Sequence, residues 1–176
     1  VKTGFFGTAP LNPMLTQTGH ADAAFRLMEQ TDNPSWLYPV TQGATSVWER
    51  WDSYTKEKGF GGHNNMNSFN HYSLGAVCEW FYSYVLGIQR QEDYPGYQHF
   101  LINPCIMVWE HAEGGFESPY GRIEVNWVRN KQDGKVALTV RIPENSAATV
   151  ILPGGKKKEC GSGRYHFEYP DERKDD

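Results

Sequence analysis

The stretch IEVNWVRNKQDGKVALTVRI, residues 123–142, predicts the fold of the second half of the chain. Apolar side chains alternate with polar ones on both sides of a polar, Gly-containing segment at residues 130–134. A period of two residues is typical of strands with one buried face, and the polar segment marks a turn between them. Shorter stretches of the same kind occur at residues 149–152 and 165–169. Turn signals at short intervals between such strands predict an antiparallel β-sandwich.

Upstream of this region the apolar period is helical. Residues 18–30 place Ala21, Ala24, Phe25 and Met28 on one face, and the sequence predicts a helix there, with Thr18 as its cap and Asp22 in its first turn. We predict a loop at residues 36–42, a second helix near 43–54 and a loop at 56–67. A third helix is expected to start at Ser68 or Asn70 and to end near residue 86, with Gly87 as its stop.

The change of period divides the chain into residues 1–90 and 91–176. Three helices do not form a comfortable core by themselves, so we expect them to be the last helices of something larger. The fold class is therefore α+β in sequence order. Within the second domain, residues 156–158 are expected to form a solvated loop. The acidic end of the chain, residues 170–176, is expected to be disordered.

Composition narrows the class of protein. The 176 residues carry a net charge of -4, and no basic stripe is interleaved with aromatic residues, so nucleic acid is not an expected partner. No apolar run approaches the ~18–20 residues that span a bilayer, and a membrane partner is not expected. We expect no cofactor or metal, because no metal-ligand spacing is present. Three cysteines leave a Cys105–Cys160 bridge open. The compartment stays open between periplasm and cytoplasm.

The residues around Glu49 suggest a sugar site. Aromatic residues make up 14% of the chain, and Trp48 and Trp51 flank Glu49. On a helix over 44–54, Glu49 would lie on the face next to the two tryptophans. The simpler interpretation is a solvated glutamate beside core tryptophans. A carboxylate near aromatic rings, amides and imidazoles favours carbohydrate chemistry, and further residues of these kinds lie nearby: Trp36, Tyr38, Gln42, His63, Asn64, Asn65, Asn67, Asn70 and His71.

Longer stretches of the chain resemble a known family. TGFFGTAPLNPML, DNPSWLYPVTQGATSVWERWDS, MNSFNHYSLGAVCEWFY, PGYQHFLINP and ESPYGRIEVNW are similar to the C-terminal part of the α-L-rhamnosidases, family 78 of the glycoside hydrolases. The resemblance covers residues 3–153. It implies the end of an (α/α)6 toroid over residues 1–90, followed by a C-terminal β-sandwich, and a rhamnose-containing glycoside as substrate.

The resemblance also implies roles for individual residues. These enzymes invert the anomeric centre, and the glutamate of the WERW motif, here Glu49, acts as general base on a water. The histidine of the NHYxLGA motif, here His71, contacts the bound rhamnose. The aromatic residues Trp36, Trp48 and Trp51 are expected to contribute to substrate binding.

One part of the family pattern is missing from this chain. The family's general acid lies in a DERxGW segment upstream of WERW, and no such segment occurs here. An inverting glycosidase needs two carboxyl groups. We therefore expect the chain to be the distal part of a rhamnosidase and to be inactive alone. As a second carboxylate, Asp52 lies too close to Glu49 in the predicted helix to reach across a sugar ring, and Asp22 and Glu79 are candidates that nothing in the sequence marks.

Three other interpretations stay open. A sugar-binding module would bind without Glu49. A polysaccharide lyase with a helical toroid would use His71 or Tyr72 as base and Asn70 to neutralise a uronate. A structural fragment would pack its helices on a partner. Because a partial toroid exposes apolar faces, we expect residues 1–90 to form a dimer, to bind a complementing N-terminal half, or to behave poorly in solution.

Overall fold

The computed structural model describes residues 3–60 and 66–172. The chain divides into two compact units, Val1–Trp80 and Phe81–Asp176. The division falls earlier than the boundary expected at residues 90–91. The final helical turn before the first strand therefore groups with the sandwich.

The first helix, α1, spans Gly4–Gln17, a segment for which we predicted no helix. Pro10 and Pro13 lie inside it. An internal proline removes a main-chain donor and clashes with the preceding turn, which hides such a helix from a propensity argument. The Thr8 hydroxyl donates to the carbonyl of Gly4 at 2.6 Å, so part of the hydrogen bonding here comes from side chains.

The second helix, α2, spans Ala21–Glu29 and confirms the helix predicted at residues 18–30. Three residues of the predicted apolar face, Ala24, Phe25 and Met28, are buried, whereas Ala21 is half-buried, and Asp22 lies in the first turn. The predicted cap is wrong. Thr18 instead ends α1, where its hydroxyl donates to the carbonyl of Met14 at 2.7 Å.

The second predicted helix is not present. Residues 44–54 form bends and turns, and a short helix, α3, lies at Leu37–Thr41, where a loop was expected. The Ser35 hydroxyl accepts the main-chain N–H of Tyr38 at 3.1 Å, which satisfies a donor in the first turn of α3. The argument that Glu49 lies on a helix face next to the two tryptophans therefore does not hold.

The third predicted helix is broken into short pieces. Helix α4 spans Tyr72–Gly75, α5 spans Cys78–Trp80, and a π-helical turn follows at Phe81–Val85. In the helical unit α1 packs against α2 and α4. The buried indole of Trp80 meets Phe25 edge to face at 5.0 Å, and its Nε1 donates to the Thr16 hydroxyl at 2.8 Å.

The second unit contains eight strands in two four-stranded sheets, which confirms the predicted sandwich. They are β1 Ile88–Arg90, β2 His99–Ile102, β3 His111–Ser118, β4 Gly121–Asn130, β5 Lys135–Ile142, β6 Ala147–Leu152, β7 Lys156–Cys160 and β8 Gly163–Pro170. One sheet has the order β1-β2-β6-β7 and the other β3-β4-β5-β8. Neighbouring strands are antiparallel except β2 and β6, which are parallel.

The core of the sandwich follows the period-two pattern of the sequence. Every second residue of β4 and β5 is buried, and the fully buried side chains include Ile123, Val125, Trp127, Leu138 and Val140. Phe100, Ile102, Ala148 and Val150 contribute the buried side chains of the other sheet.

Three smaller expectations for this unit need correction. The three cysteines are thiols, so Cys105 and Cys160 form no disulfide. Residues 156–158 are exposed but belong to β7, because they pair with β6. The tail begins later than expected: β8 reaches Pro170, and Asp171 forms an ion pair with the buried Arg129. Residues 173–176 lie outside the described part of the chain.

Candidate active site

Two segments that are distant in sequence lie side by side in the helical unit. The main-chain N–H of His71 donates to the carbonyl of Val47 at 2.8 Å, and the N–H of Glu49 donates to the carbonyl of Ser68 at 2.9 Å. The Ser46 hydroxyl also donates to the carbonyl of Phe69. These bonds run between residues 46–49 and 68–71, and they bring the backbones of Glu49 and His71 close together. Because these main-chain groups are committed to partners elsewhere in the chain, residues 46–49 are not available for the predicted helix.

The carboxylate of Glu49 is fixed at one oxygen. Its Oε2 accepts the main-chain N–H of Ser68 at 2.7 Å, and the residue is half-buried. Among the described residues, Oε1 has no hydrogen-bond partner. An anchored carboxylate with one oxygen available suits a group that must orient and deprotonate a water.

Glu49 lines a cleft of about 560 Å³ in the helical unit. Trp51, Asp52 and Arg50 line the same cleft, together with Phe5 of α1 and Asn33. The cleft therefore combines a carboxylate, aromatic rings, an amide and a guanidinium. Clefts with apolar walls and a few converging polar groups are the usual form of small-molecule sites.

His71 is held in one orientation by two contacts. Its ring stacks on Phe5 with the centroids 5.0 Å apart and the planes inclined by 25°. Its Nδ1 accepts the main-chain N–H of Ser73 at 3.3 Å, at the start of α4. In a neutral imidazole whose Nδ1 accepts, the proton is on Nε2, so Nε2 is a donor. His71 is not among the residues that line the cleft of Glu49, but it stacks on Phe5, which is.

The three tryptophans differ in position. Trp48 is only 5% exposed and meets Tyr54 and Phe69 edge to face. It is a core residue, so the expectation that it contacts substrate is not supported by its position. Trp51 is half-buried and lines the cleft. Trp36 packs edge to face on Trp51 at 5.4 Å and donates from Nε1 to the carbonyl of Leu74 at 2.9 Å, so it supports Trp51 from behind.

The other candidate carboxylates are dispersed. Asp22 forms an ion pair with Arg26 at 2.6 Å on α2, and Glu79 is exposed on α5. Neither is among the residues that line the cleft, whereas Asp52 is. The residues His63, Asn64 and Asn65, which the sequence suggested as part of a sugar site, lie outside the described residues.

Phe5 and Asn33 are cleft residues that sequence reasoning did not single out, whereas Arg50, a third residue of the cleft, belongs to the WERW motif. Phe5 lies in the helix that the two prolines concealed, and Asn33 lies in a segment interpreted only as the end of a helix. The signal that could have found them is the resemblance itself, because all three fall inside its quoted stretches.

Within residues 3–60 and 66–172 no group of three or more His, Cys, Asp or Glu side chains is arranged to hold a metal ion. None of the helices in this part of the chain is long and apolar enough to cross a membrane.

A helical unit with a carboxylate and aromatic rings in a cleft, followed by a β-sandwich, is typical of proteins that act on carbohydrates. Comparison with known proteins defines the class further. Residues 1–85 match the bacterial α-L-rhamnosidase 6 hairpin glycosidase domain, and residues 87–167 match the bacterial α-L-rhamnosidase C-terminal domain.

Individual relatives agree with the domain matches. The chain is 41% identical over 154 residues to an α-L-rhamnosidase of Streptomyces avermitilis, and 38% identical over 154 residues to one of an Alteromonas species. Each alignment covers 87% of this chain, but the chain spans only 14% and 16% of the length of those two relatives.

Solved structures give the same result. The crystal structure of the Streptomyces avermitilis α-L-rhamnosidase complexed with L-rhamnose matches with a TM-score of 0.80 and 35% identity, over 94% of this chain and 18% of that one. The native α-L-rhamnosidase of Aspergillus terreus matches with a TM-score of 0.81 and 35% identity, over 94% of this chain and 19% of that one. The chain belongs to the α-L-rhamnosidase family of glycoside hydrolases.

Proposed function

We propose that this chain supplies the general base and part of the rhamnose pocket of an inverting α-L-rhamnosidase, which hydrolyses terminal α-L-rhamnosyl residues. The observation that carries the proposal is the anchored carboxylate of Glu49 in the cleft beside Trp51. In the proposed step, Glu49 takes a proton from a water as the water oxygen attacks the anomeric carbon. A separate acid protonates the departing glycosidic oxygen.

His71 and the aromatic residues take supporting roles in this proposal. The Nε2–H of His71 donates to a rhamnose hydroxyl, and the stack on Phe5 holds the ring in place. The Trp51 ring provides an apolar surface for one face of the sugar. Asp52 lines the cleft, but it lies close to Glu49 along the chain, and we assign it no role as acid.

The general acid is not part of this proposal for the chain. The family's acid motif is absent from these residues, and in an inverting enzyme the two carboxyl groups stand roughly 6.5–9.5 Å apart across the substrate. We therefore expect the purified 176-residue chain to show no turnover of an aryl α-L-rhamnoside. Turnover that disappears in Glu49→Gln would contradict this, and Asp22, Asp52 and Glu79 would then be substituted in turn.

A chimera tests the role of Glu49 directly. The matching segment of the Streptomyces avermitilis relative is replaced by this chain, so that the relative provides the acid. We expect Glu49→Gln to lower kcat about 10²–10⁴-fold, the usual contribution of a general base. Glu79→Gln, an exposed carboxylate away from the cleft, is the matched control and should leave kcat unchanged. Equal activity in both variants would refute the proposal for Glu49.

A further inference from the structure

The outward face of the sheet β3-β4-β5-β8 contains a second cleft, of about 390 Å³. It lies entirely within the sandwich unit. Its polar lining comes from all four strands of this sheet: Glu113, Arg122, Glu124, Asn126, Thr139, Arg141 and Arg164. Nothing in the proposed hydrolytic chemistry uses this face.

Two arginines oppose each other across this cleft. Arg141 of β5 and Arg164 of β8 are direct partners in the antiparallel register, and both are exposed. Like charges at directly opposed positions destabilise a sheet. The closest carboxylate contact of Arg141 is Glu124 at 3.6 Å, and within the described residues the Arg164 guanidinium has no ion-pair partner.

The neighbouring carboxylates are already engaged. Arg122 donates to Glu117 at 2.6 Å and to Glu124 at 3.1 Å, and these two carboxylates raise the pKa of Arg122, Glu117 most strongly. Glu113 accepts the side-chain amide of Asn126 at 3.0 Å. The local carboxylates therefore neutralise the positive charge of Arg122 well, that of Arg141 weakly and that of Arg164 least.

A glycine on β3 makes room for this arrangement. A Cβ at Gly115 would lie 2.6 Å from Nη2 of Arg122, so any other residue would displace that guanidinium. With glycine at this position, Arg122 can lie against β3 and bridge its two carboxylates. Arg141 and Arg164 then remain as the pair of cations available to a ligand.

We propose that the Arg141–Arg164 cleft binds the oxyanion of an acidic sugar. The guanidinium fork matches a carboxylate or sulfate group with parallel N–H donors. The neutral polar neighbours are Thr139, whose hydroxyl lies 3.1 Å from Nδ1 of His166, and Asn126, whose side-chain amide donates to Glu113. The glutamates around the cleft and the chain's net charge of -4 repel a long polyanion such as nucleic acid more strongly than a short acidic sugar that carries few charges. The inference of an oxyanion depends on the arginines alone, whereas the inference of a sugar rests on the proposed function.

Isothermal titration of the 176-residue chain with tri-galacturonate tests this inference. We expect saturable binding that weakens about tenfold in Arg164→Gln and in Arg141→Gln, the usual loss for one charge-assisted hydrogen bond. Arg90→Gln, an exposed arginine in the other sheet, is the matched control and should bind like the unmodified chain. Absence of binding, or equal binding by the variants and the unmodified chain, would overturn the proposal.

Two further probes separate the parts of the ligand. The methyl ester of the same trisaccharide, which lacks the carboxylate charges, should bind at least tenfold more weakly. Equal affinity would overturn the proposal that the site recognises an oxyanion. Sodium sulfate should bind more weakly than tri-galacturonate. Equal affinity would overturn the proposal that the site recognises the sugar.

Thermal unfolding tests whether a substitution weakens binding only because it unfolds the protein. Because Arg164→Gln removes one of two opposed like charges, we expect its Tm to equal or exceed that of the unmodified chain. A lower Tm would assign Arg164 a structural role and overturn the proposal. The readouts are binding and stability, so failure here leaves the role of Glu49 untouched. Failure of the proposed function would remove the argument for a sugar and leave the oxyanion at the two arginines.

Discussion

Trp48 and Trp51 illustrate how neighbouring residues of one type can have different roles. Both flank Glu49 in the sequence, and both were candidates for a sugar-binding surface. Trp48 is buried against Tyr54 and Phe69, whereas Trp51 lines the cleft with Glu49. Solvent exposure separates them, and exposure depends on chain segments far from the WERW motif.

This difference predicts opposite effects of two substitutions. Trp48→Ala should lower the free energy of unfolding of the helical unit by about 3–5 kcal/mol, the usual cost of emptying a buried aromatic site. Trp51→Ala should cost less stability, since its ring is half-buried, but should abolish L-rhamnose binding. Urea unfolding followed by circular dichroism and titration with L-rhamnose measure the two effects. A Trp51→Ala variant that binds L-rhamnose normally would remove Trp51 from the proposed pocket.

Tyr169 gives a pH-dependent prediction at the same scale. Burial first, and then the Asp171 carboxylate, raise the pKa of Tyr169 to about 12 from its ordinary value of 10. Above pH 10 the unfolded chain loses this proton while the folded chain keeps it. The contribution of Tyr169 to stability is therefore fully present below pH 10 and is lost as the pH rises towards 12.

Alkaline unfolding measures this contribution. The free energy of unfolding of the unmodified chain should fall more steeply between pH 10 and 12 than that of Tyr169→Phe, which lacks the ionising group. Tyr165→Phe, on the same strand, should retain the steep dependence. Parallel curves for the unmodified chain and Tyr169→Phe would show that the phenol contributes nothing to the alkaline sensitivity.

Among the secondary-structure elements, the strands were predictable and the short helices were not. The alternation at residues 123–142 is enforced by one buried sheet face, so local pattern and tertiary environment agree. At residues 44–54 they disagree: the pattern suits a helix, but the main chain of Val47 and Glu49 bonds to residues 68–71. Propensity gives way when such non-local partners are available.

The candidate site shows the same limit. Glu49 and His71 were identified by motifs, but their common location depends on the pairing of residues 46–49 with 68–71. Phe5, which stacks on His71, lies in a helix that contains two prolines. A pattern based on one segment at a time cannot show that three separate segments meet.

The junction before β1 provides a prediction at the scale of elements. Gly87 has a φ of 76°, and a Cβ there would lie 2.2 Å from the main-chain nitrogen of Pro104. Its carbonyl also accepts the N–H of Asn103 at 2.9 Å, next to the β1–β2 pair. Any side chain must therefore push the two backbones apart, in addition to adopting a left-handed conformation.

We expect Gly87→Ala to lower the free energy of unfolding of the sandwich by more than about 3 kcal/mol, because strain of about 1–3 kcal/mol from the backbone adds to the clash. Gly154→Ala is the matched control, since Gly154 has a φ of 69° and nothing lies within 4 Å of an added Cβ. It should show the backbone cost alone. Equal losses in the two variants, measured by urea unfolding, would mean that the chain relieves the contact with Pro104.

At the scale of the whole molecule, the chain combines two units that match two adjacent domains of its relatives, while it spans 14–16% of the relatives' length. The sandwich unit matches the C-terminal domain of the relatives, and the two sheets of the sandwich both lie within this chain. The helical unit matches the six-hairpin domain, but its described residues form only a few helices, most of them short. Its exposed apolar side chains are numerous among the described residues, and they include Phe6 (99% exposed), Tyr72 (82%) and Met66 (74%).

These exposed side chains predict self-association through the helical unit. Exposed apolar surface marks interaction sites or aggregation when it is extensive, and burying it against a second copy removes it from water. We expect native mass spectrometry of the chain to show dimers or larger species above the 20.1 kDa monomer, and Phe6→Glu to shift the population towards the monomer. Val128→Glu, at an exposed apolar position of the sandwich, should leave the distribution unchanged. A purely monomeric unmodified chain at micromolar concentration would show that these side chains do not drive association, and equal shifts in both variants would place the contact outside the helical unit.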